Sequence, residues 1–234
     1  MAAMGAGAHS PLMTIHVGML LFPELTQLDL TGPFELFHRL PDVQVHLAWK
    51  SLDVVRSDTG LGLSPTTTLD ACPPVDVLFV PGGAGQIDLM EDEAVLRFLR
   101  ERAERARWVT SVCTGSLLLG AAGLLRDHDA TTHWAFRELL PLFGARPAPG
   151  RVVVDRNRIT AGGVTAGIDF GLRIIAEIAG ERRAKEAQLE LEYDPCPPFR
   201  CGHPDVADAD VLATVRARFD ARFQTRAAQL RAAR

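Results

Sequence analysis

Short apolar runs, set apart by amphipathic stretches, constrain this 234-residue chain more than any other feature. IHVGMLLF (15–22), VQVHLAW (43–49), VDVLFV (75–80) and WVTSV (108–112) have the length of buried strands. Between them, residues 28–40, 91–107 and 115–125 carry helical patterns. Residues 134–142 and 165–179 continue the alternation, the latter with Ile168, Leu172, Ile175 and Ala179 on one face. Segment 51–69, with its Asp58-Thr59-Gly60 turn, reads as a hairpin beside the main sheet, and 151–160 as a strand pair. Strands interleaved with helices predict an α/β, flavodoxin-like fold. Its parts are a mostly parallel sheet with helices on both faces, a nucleophile elbow and a C-terminal helical tail. In such sheets ligands bind beyond the carboxyl ends of the strands. Asp29, the Gly82-Gly83 pair and Cys113 all fall there.

Composition narrows the class. With 47% hydrophobic and 23% charged residues the chain can build a large core, and a net charge of −4 argues against a nucleic-acid binder. The apolar run at 116–125 is far short of the ~18–20 residues that cross a bilayer, so no membrane association is expected. Residues 1–12 have neither a basic start nor an apolar core and are expected to be a disordered extension, ahead of a domain over 13–203. Residues 204–234 form the tail, in which 206–234 is locally +3, with Leu212, Val215, Phe219, Phe223 and Leu230 as one apolar stripe. That stripe suits a helix packed on its own domain or on a partner subunit, and a DNA-reading helix would need a second helix and turn. Cys72, Cys113, Cys196 and Cys201 come without an export signal, so a cytoplasmic location and free thiols are expected. The Cys196, Cys201 and His203 spacing fits no common zinc pattern, and no metal is expected.

Cys113, in TSVCTGS, lies between an apolar strand and a helix of small residues. This is an elbow with the logic of G-x-S-x-G, and the following helix end favours a thiolate. A buried structural cysteine is the plainer alternative. Pro81-Gly82-Gly83-Ala84-Gly85 could present backbone N–H groups as an oxyanion-type donor set, or be a simple turn. Asp29, between Leu28 and Leu30, should have its pKa raised by apolar neighbours, although it could also cap a helix. His133 in TTHW could support the elbow or be an ordinary core histidine.

The stretches GMLLFPELTQLDLTGPFE, ACPPVDVLFVPGGAG, TSVCTGSLLLGAAGLL, ATTHWAFRELL, TAGGVTAGIDFGL and QLELEYDPCPPF carry a resemblance to a known family. The chain resembles the ThiJ/PfpI branch of the class I glutamine amidotransferase-like superfamily, and within it the isocyanide hydratases. Much of the superfamily places a Glu near its reactive cysteine, whereas the hydratases carry Asp, as Asp29 does here. The resemblance implies hydration of a small-molecule isocyanide to an N-substituted formamide through a thioimidate on Cys113. Asp29 would transfer protons, the backbone near Gly83 and Thr114 would stabilise charge, and Val164 would line the pocket. It implies a homodimer and no cofactor. A cysteine amidase or peptidase-like hydrolase of the same fold and a non-catalytic small-molecule sensor are the competing classes.

The composition of residues 1–12 cannot offset the entropy of ordering them. A chain begun at Met13 should therefore keep its activity and melting temperature, and calorimetry showing a fall of several degrees would count against this.

Overall fold

The computed structural model describes residues 14–232, so the 1–12 extension lies outside the described residues. In chain order the elements are β1 (Ile15–Leu20), α1 (Gln27–Phe37), β2 (Val43–Trp49), β3 (Val55–Arg56), β4 (Gly62–Leu63) and β5 (Thr67–Thr68). Next come β6 (Val77–Val80), α2 (Gln86–Leu89), α3 (Glu93–Arg105), β7 (Trp108–Val112), α4 (Gly115–Ala121) and β8 (Asp129–Ala130). A 3-10 helix (Trp134–Phe143), β9 (Arg146–Pro147), β10 (Val152–Asp155), β11 (Arg158–Ala161), α5 (Ala166–Ala179), α6 (Glu181–Glu190) and α7 (Ala209–Ala232) complete the chain.

The apolar runs pair because burial on both faces leaves each backbone needing hydrogen-bonded neighbours. They form a seven-stranded sheet in the order β10-β11-β7-β6-β1-β2-β5. Every pairing is parallel except β10 with β11. From β1 the chain steps to β2 on one side, then returns to β6 and β7 on the other. Right-handed crossovers therefore place α1 on one face and α3 on the opposite face. The reversal between β1 and β6 is a topological switch point, where loops after adjacent strands splay apart and leave a crevice. The hairpin expected within 51–69 is the antiparallel pair β3–β4, and β5 joins the sheet edge beside β2.

Asp92 starts α3 by accepting the Ala94 and Val95 N–H groups at 3.2 and 3.3 Å, which satisfies two donors of its first turn. Over the sheet, Phe37 of α1, Phe79 of β6 and Phe170 of α5 form an aromatic triangle with centroids 6.3, 6.2 and 5.3 Å apart. The face of α5 that carries this contact differs from the expected one. Its buried residues are Ala166, Gly167, Phe170, Gly171, Ile174 and Ile175, while Ile168 and Leu172 are half-buried and Ala179 is exposed. The glycines explain the rotation: α5 lies so close to α1 that a Cβ on Gly171 would sit 2.6 Å from Leu36. Close packing of two backbones outweighed the larger side chains.

Segment 134–142 is a 3-10 helix rather than an α-helix; Pro141 lacks the N–H that an α-helical ladder would use there. Two helices carried too little apolar signal to be expected: the four-residue α2, and α6, whose charged sequence buries only Ala184 and Ala187. The tail is helical, and Phe219 packs on its own domain, with centroids 5.0, 5.9 and 5.8 Å from His133, Trp134 and Phe136. The side chains of Phe223 and Leu230 lie outside the described residues. Among the described residues no helix is long and apolar enough to cross a membrane.

Gly171→Ala should destabilise the fold by about 1–3 kcal/mol, because α1 and α5 must move apart to admit the methyl group. Denaturant titration with an unchanged slope and a lower midpoint is the expected result; an unchanged midpoint would show that the helices yield freely.

Candidate active site

Three loops leave the carboxyl ends of β1, β6 and β7 at the switch point, and each delivers one part of the site. The chain after β1 turns into α1, whose first turn carries Asp29, fully buried. Pro33 sits inside this helix, and its missing N–H leaves the Asp29 carbonyl without its intrahelical donor. The loop after β6 is Pro81-Gly82-Gly83, and the loop after β7 is the single residue Cys113, followed by Thr114 and α4.

Cys113 takes φ +55°, a left-handed conformation that costs a non-glycine residue about 1–3 kcal/mol and persists only when its surroundings enforce it. Those surroundings are explicit. Its N–H is shared between the Ala161 and Gly162 carbonyls at 3.1 and 2.8 Å. Its carbonyl accepts the Thr132 hydroxyl at 2.7 Å and the Ser116 hydroxyl at 3.1 Å. Ser116 and Thr132 were not among the expected site residues; the clustering of hydroxyls in TGS and TTH was the available signal.

Cys113 is 6% exposed, and its thiol meets the Asp29 carboxyl and the backbone N–H groups of Val164 and Thr114. Val164 itself has φ +30°, so a second strained residue aims its amide at the sulfur. The expected residues Cys113, Asp29, Thr114 and Val164 are thus brought together. Gly82 and Gly83 are beside them with a different task. Gly82 N–H donates to Asp29 Oδ2 at 3.0 Å, and Gly83 N–H donates to Thr114 Oγ1 at 3.1 Å. These two amides, read from the sequence as part of an oxyanion-type donor set, here hold the carboxyl and the threonine in place. Glycine is required at position 82, since a Cβ there would lie 2.6 Å from Thr114 N and 2.9 Å from Asp29 Oδ2. His133 lies on the far side of Gly163, with Nδ1 accepting the Ala135 N–H at 3.3 Å to cap the 3-10 helix.

Burial dominates the electrostatics. It raises Asp29 from 3.8 to about 7 against the pull of Cys113 and the Gly82 N–H, and the Asp58 charge adds to the rise. The raised carboxyl is the one anticipated from its apolar neighbours. The expected free thiolate needs correction: burial first, and the Asp29 charge second, push the Cys113 thiol up, overriding the end of α4. Near neutral pH the thiol therefore keeps its proton and Asp29 is partly ionised; where Asp29 is ionised, the two groups hold one proton between them. Sulfur can become nucleophilic only as that proton moves onto Asp29, and a proton on Asp29 is then ready for delivery. Oδ1 of Asp29 has no hydrogen-bond partner among the described residues. Cavities of about 450 and 240 Å³ lie around Trp134 between the 3-10 helix and α7, and neither is lined by Cys113.

A cysteine on a strained elbow at an α/β switch point, facing a buried acid, defines a recognisable class. The model of the DJ-1/PfpI family matches residues 15–177, and the chain belongs to this family. It is 57% identical over 206 residues to an isonitrile hydratase of Pseudomonas putida, a match that covers 88% of this chain and 90% of that protein. It is 31% identical to the HTH-type transcriptional regulator GbdR of Pseudomonas aeruginosa, over 70% of this chain but only 47% of the regulator. Among solved structures, a THiJ/PfpI family protein from Pseudomonas syringae superposes with a TM-score of 0.90 at 45% identity, covering 98% of this chain and 96% of that one. Oxidized DJ-1 of Toxoplasma gondii, at 20% identity and a TM-score of 0.70 over 78% of this chain and all of that one, shares the fold.

Alkylation of Cys113 by iodoacetamide should rise through an inflection near pH 7 as Asp29 becomes able to accept the thiol proton. Asp29→Asn should remove that inflection. A rate that follows an ordinary thiol in both proteins would show that the pair does not share a proton.

Proposed function

We propose that this protein is an isocyanide hydratase, a hydro-lyase that converts R–NC and water to R–NH–CHO. The observation that carries the reading is the buried contact of Asp29 with Cys113, since it places a proton acceptor and donor on the nucleophile itself. The match to the Pseudomonas putida isonitrile hydratase over most of both chains supports it.

The terminal carbon of an isocyanide is electrophilic toward a soft sulfur. Cys113 Sγ forms a bond to that carbon while its proton passes to Asp29, and Asp29 returns the proton to the same carbon. The product is a thioimidate, R–N=CH–S. Water then adds to the carbon as Asp29 takes one of its protons and passes it to the nitrogen. The C–S bond breaks, the electron pair stays on sulfur, and the formamide leaves as the remaining proton returns to the pair. The Val164 and Thr114 amides stabilise negative charge on sulfur at the first and last stages. Val164 lines one wall of the substrate space.

We also infer a cytoplasmic homodimer. The tail no longer supplies the whole argument, because Phe219 is packed within its own chain. Leu189 and Phe199, 82% and 78% exposed close to the family segment LEYDPCPPF, are large apolar groups that a second copy would cover. Light scattering should give twice the 25.4 kDa chain mass, and a value of one chain at micromolar concentration would refute the dimer.

Cys113→Ala should abolish turnover with the fold intact. Asp29→Asn should lower turnover by about 10²–10⁴, because Asn keeps an acceptor for Gly82 but cannot carry a proton. Formamide formation from an aliphatic isocyanide is the assay, and wild-type rates in either variant would overturn the mechanism.

A further inference from the structure

Thr26 is the residue from which α1 starts, yet its side chain caps none of that helix's N–H groups. A hydroxyl in this position ordinarily accepts from the first turn. Thr26 Oγ1 instead donates to Asp58 Oδ2 at 2.8 Å, at the tip of the β3–β4 hairpin. Two backbone bonds accompany it: Glu24 N–H to the Arg56 carbonyl at 2.8 Å, and Asp58 N–H to the Leu25 carbonyl at 3.0 Å. The tip is held by Ser57, whose carbonyl accepts Gly60 N–H and whose hydroxyl accepts Leu61 N–H, each at 3.0 Å. On its other side the Leu25-Thr26 turn bears on the glycine loop. Thr26 N–H donates to the Gly82 carbonyl at 3.0 Å, and Leu25 bridges Gly83. Gly82 in turn gives its own N–H to Asp29. A continuous path of hydrogen bonds therefore runs from Asp58 through Thr26 and Gly82 to the acid of the site.

We propose that Asp58 is a positioning residue for the reaction, holding the Thr26 turn in register with the glycine loop and bringing a negative charge to the Asp29 side of the site. The turnover part of this proposal rests on the hydratase reading; the alkylation part does not. The titratable groups that act on Asp29 are Cys113 from the elbow and Asp58 from the hairpin, and the glycine loop adds the neutral Gly82 N–H. From α5, packed against α1, Gly167 faces the Asp29 backbone, and the helix's Asp169 is paired with Arg151. Asp58 thus disfavours ionisation of Asp29 from outside, and because it is exposed its influence must weaken with salt.

The test compares Asp58→Asn, Asp58→Ala and Thr26→Val in the full chain, by Cys113 alkylation against pH and by turnover of an aliphatic isocyanide. Asn keeps an acceptor for Thr26 and removes the charge. Its alkylation inflection should fall by roughly half a pH unit at low ionic strength, and the difference should vanish in ~1 M salt. Asp58→Ala should add a severalfold loss of kcat with little change in KM, and Thr26→Val should show that loss without the shift in inflection. An unmoved inflection in Asp58→Asn, or an unmoved kcat in both Asp58→Ala and Thr26→Val, overturns the proposal. A normal inflection in the wild-type protein without any turnover would count against the hydratase reading and leave the Asp58 shift to be judged by alkylation alone.

Discussion

Everything at the site depends on one unfavourable act, the burial of the Asp29 carboxyl against the Cys113 thiol. Holding Asp29 near 7 instead of 3.8 costs the fold on the order of 4 kcal/mol once the solution is well above pH 7. The sign follows from the direction. A carboxyl whose folded value is raised contributes its full stability only below its unfolded pKa and loses it as pH rises through the folded value. The strained backbones of Cys113 and Val164 add to this cost. A domain with tens of fully buried apolar side chains can carry such a debit; a small one could not.

The switch point makes the arrangement possible without long loops. β1, β6 and β7 are adjacent in the sheet, so three short connections after them converge within hydrogen-bond reach. Each connection fixes another. The loop after β6 holds the acid through Gly82 and the start of α4 through Gly83 and Thr114. Thr114 spends its hydroxyl on that loop rather than on capping α4, just as Thr26 spends its own on the hairpin. Local helix stability has twice been exchanged for registration of the site.

Much of this was legible in the sequence because it rests on period and position. The four apolar runs became strands, and the elbow at Cys113 and the acid at Asp29 fell where strand ends predict. The segments that escaped are those where side-chain chemistry was a poor guide to packing. α6 is charged almost throughout and is held by two buried alanines, and the inward face of α5 is chosen by glycines that carry no hydrophobic signal. The partners of Gly82 and Gly83 were also unreadable. Glycine announces close approach, but only the fold reveals that Asp29 and Thr114 are among the approaching groups.

The same crowding suits an acid as short as aspartate at this position. Asp29 Oδ2 already lies 2.9 Å from where a Cβ on Gly82 would stand, and Thr114 closes the space from the other side. The carboxyl is anchored by Oδ2 on Gly82 N–H and also meets the Cys113 thiol. A side chain longer by one methylene could keep the anchor only by carrying its second oxygen past the thiol, or keep the thiol contact only by releasing Gly82. The short acid meets both demands at once. It can therefore receive the proton from sulfur and hand it to a carbon bound there without moving its own backbone, so long as the hairpin and the glycine loop keep the first turn of α1 where it is.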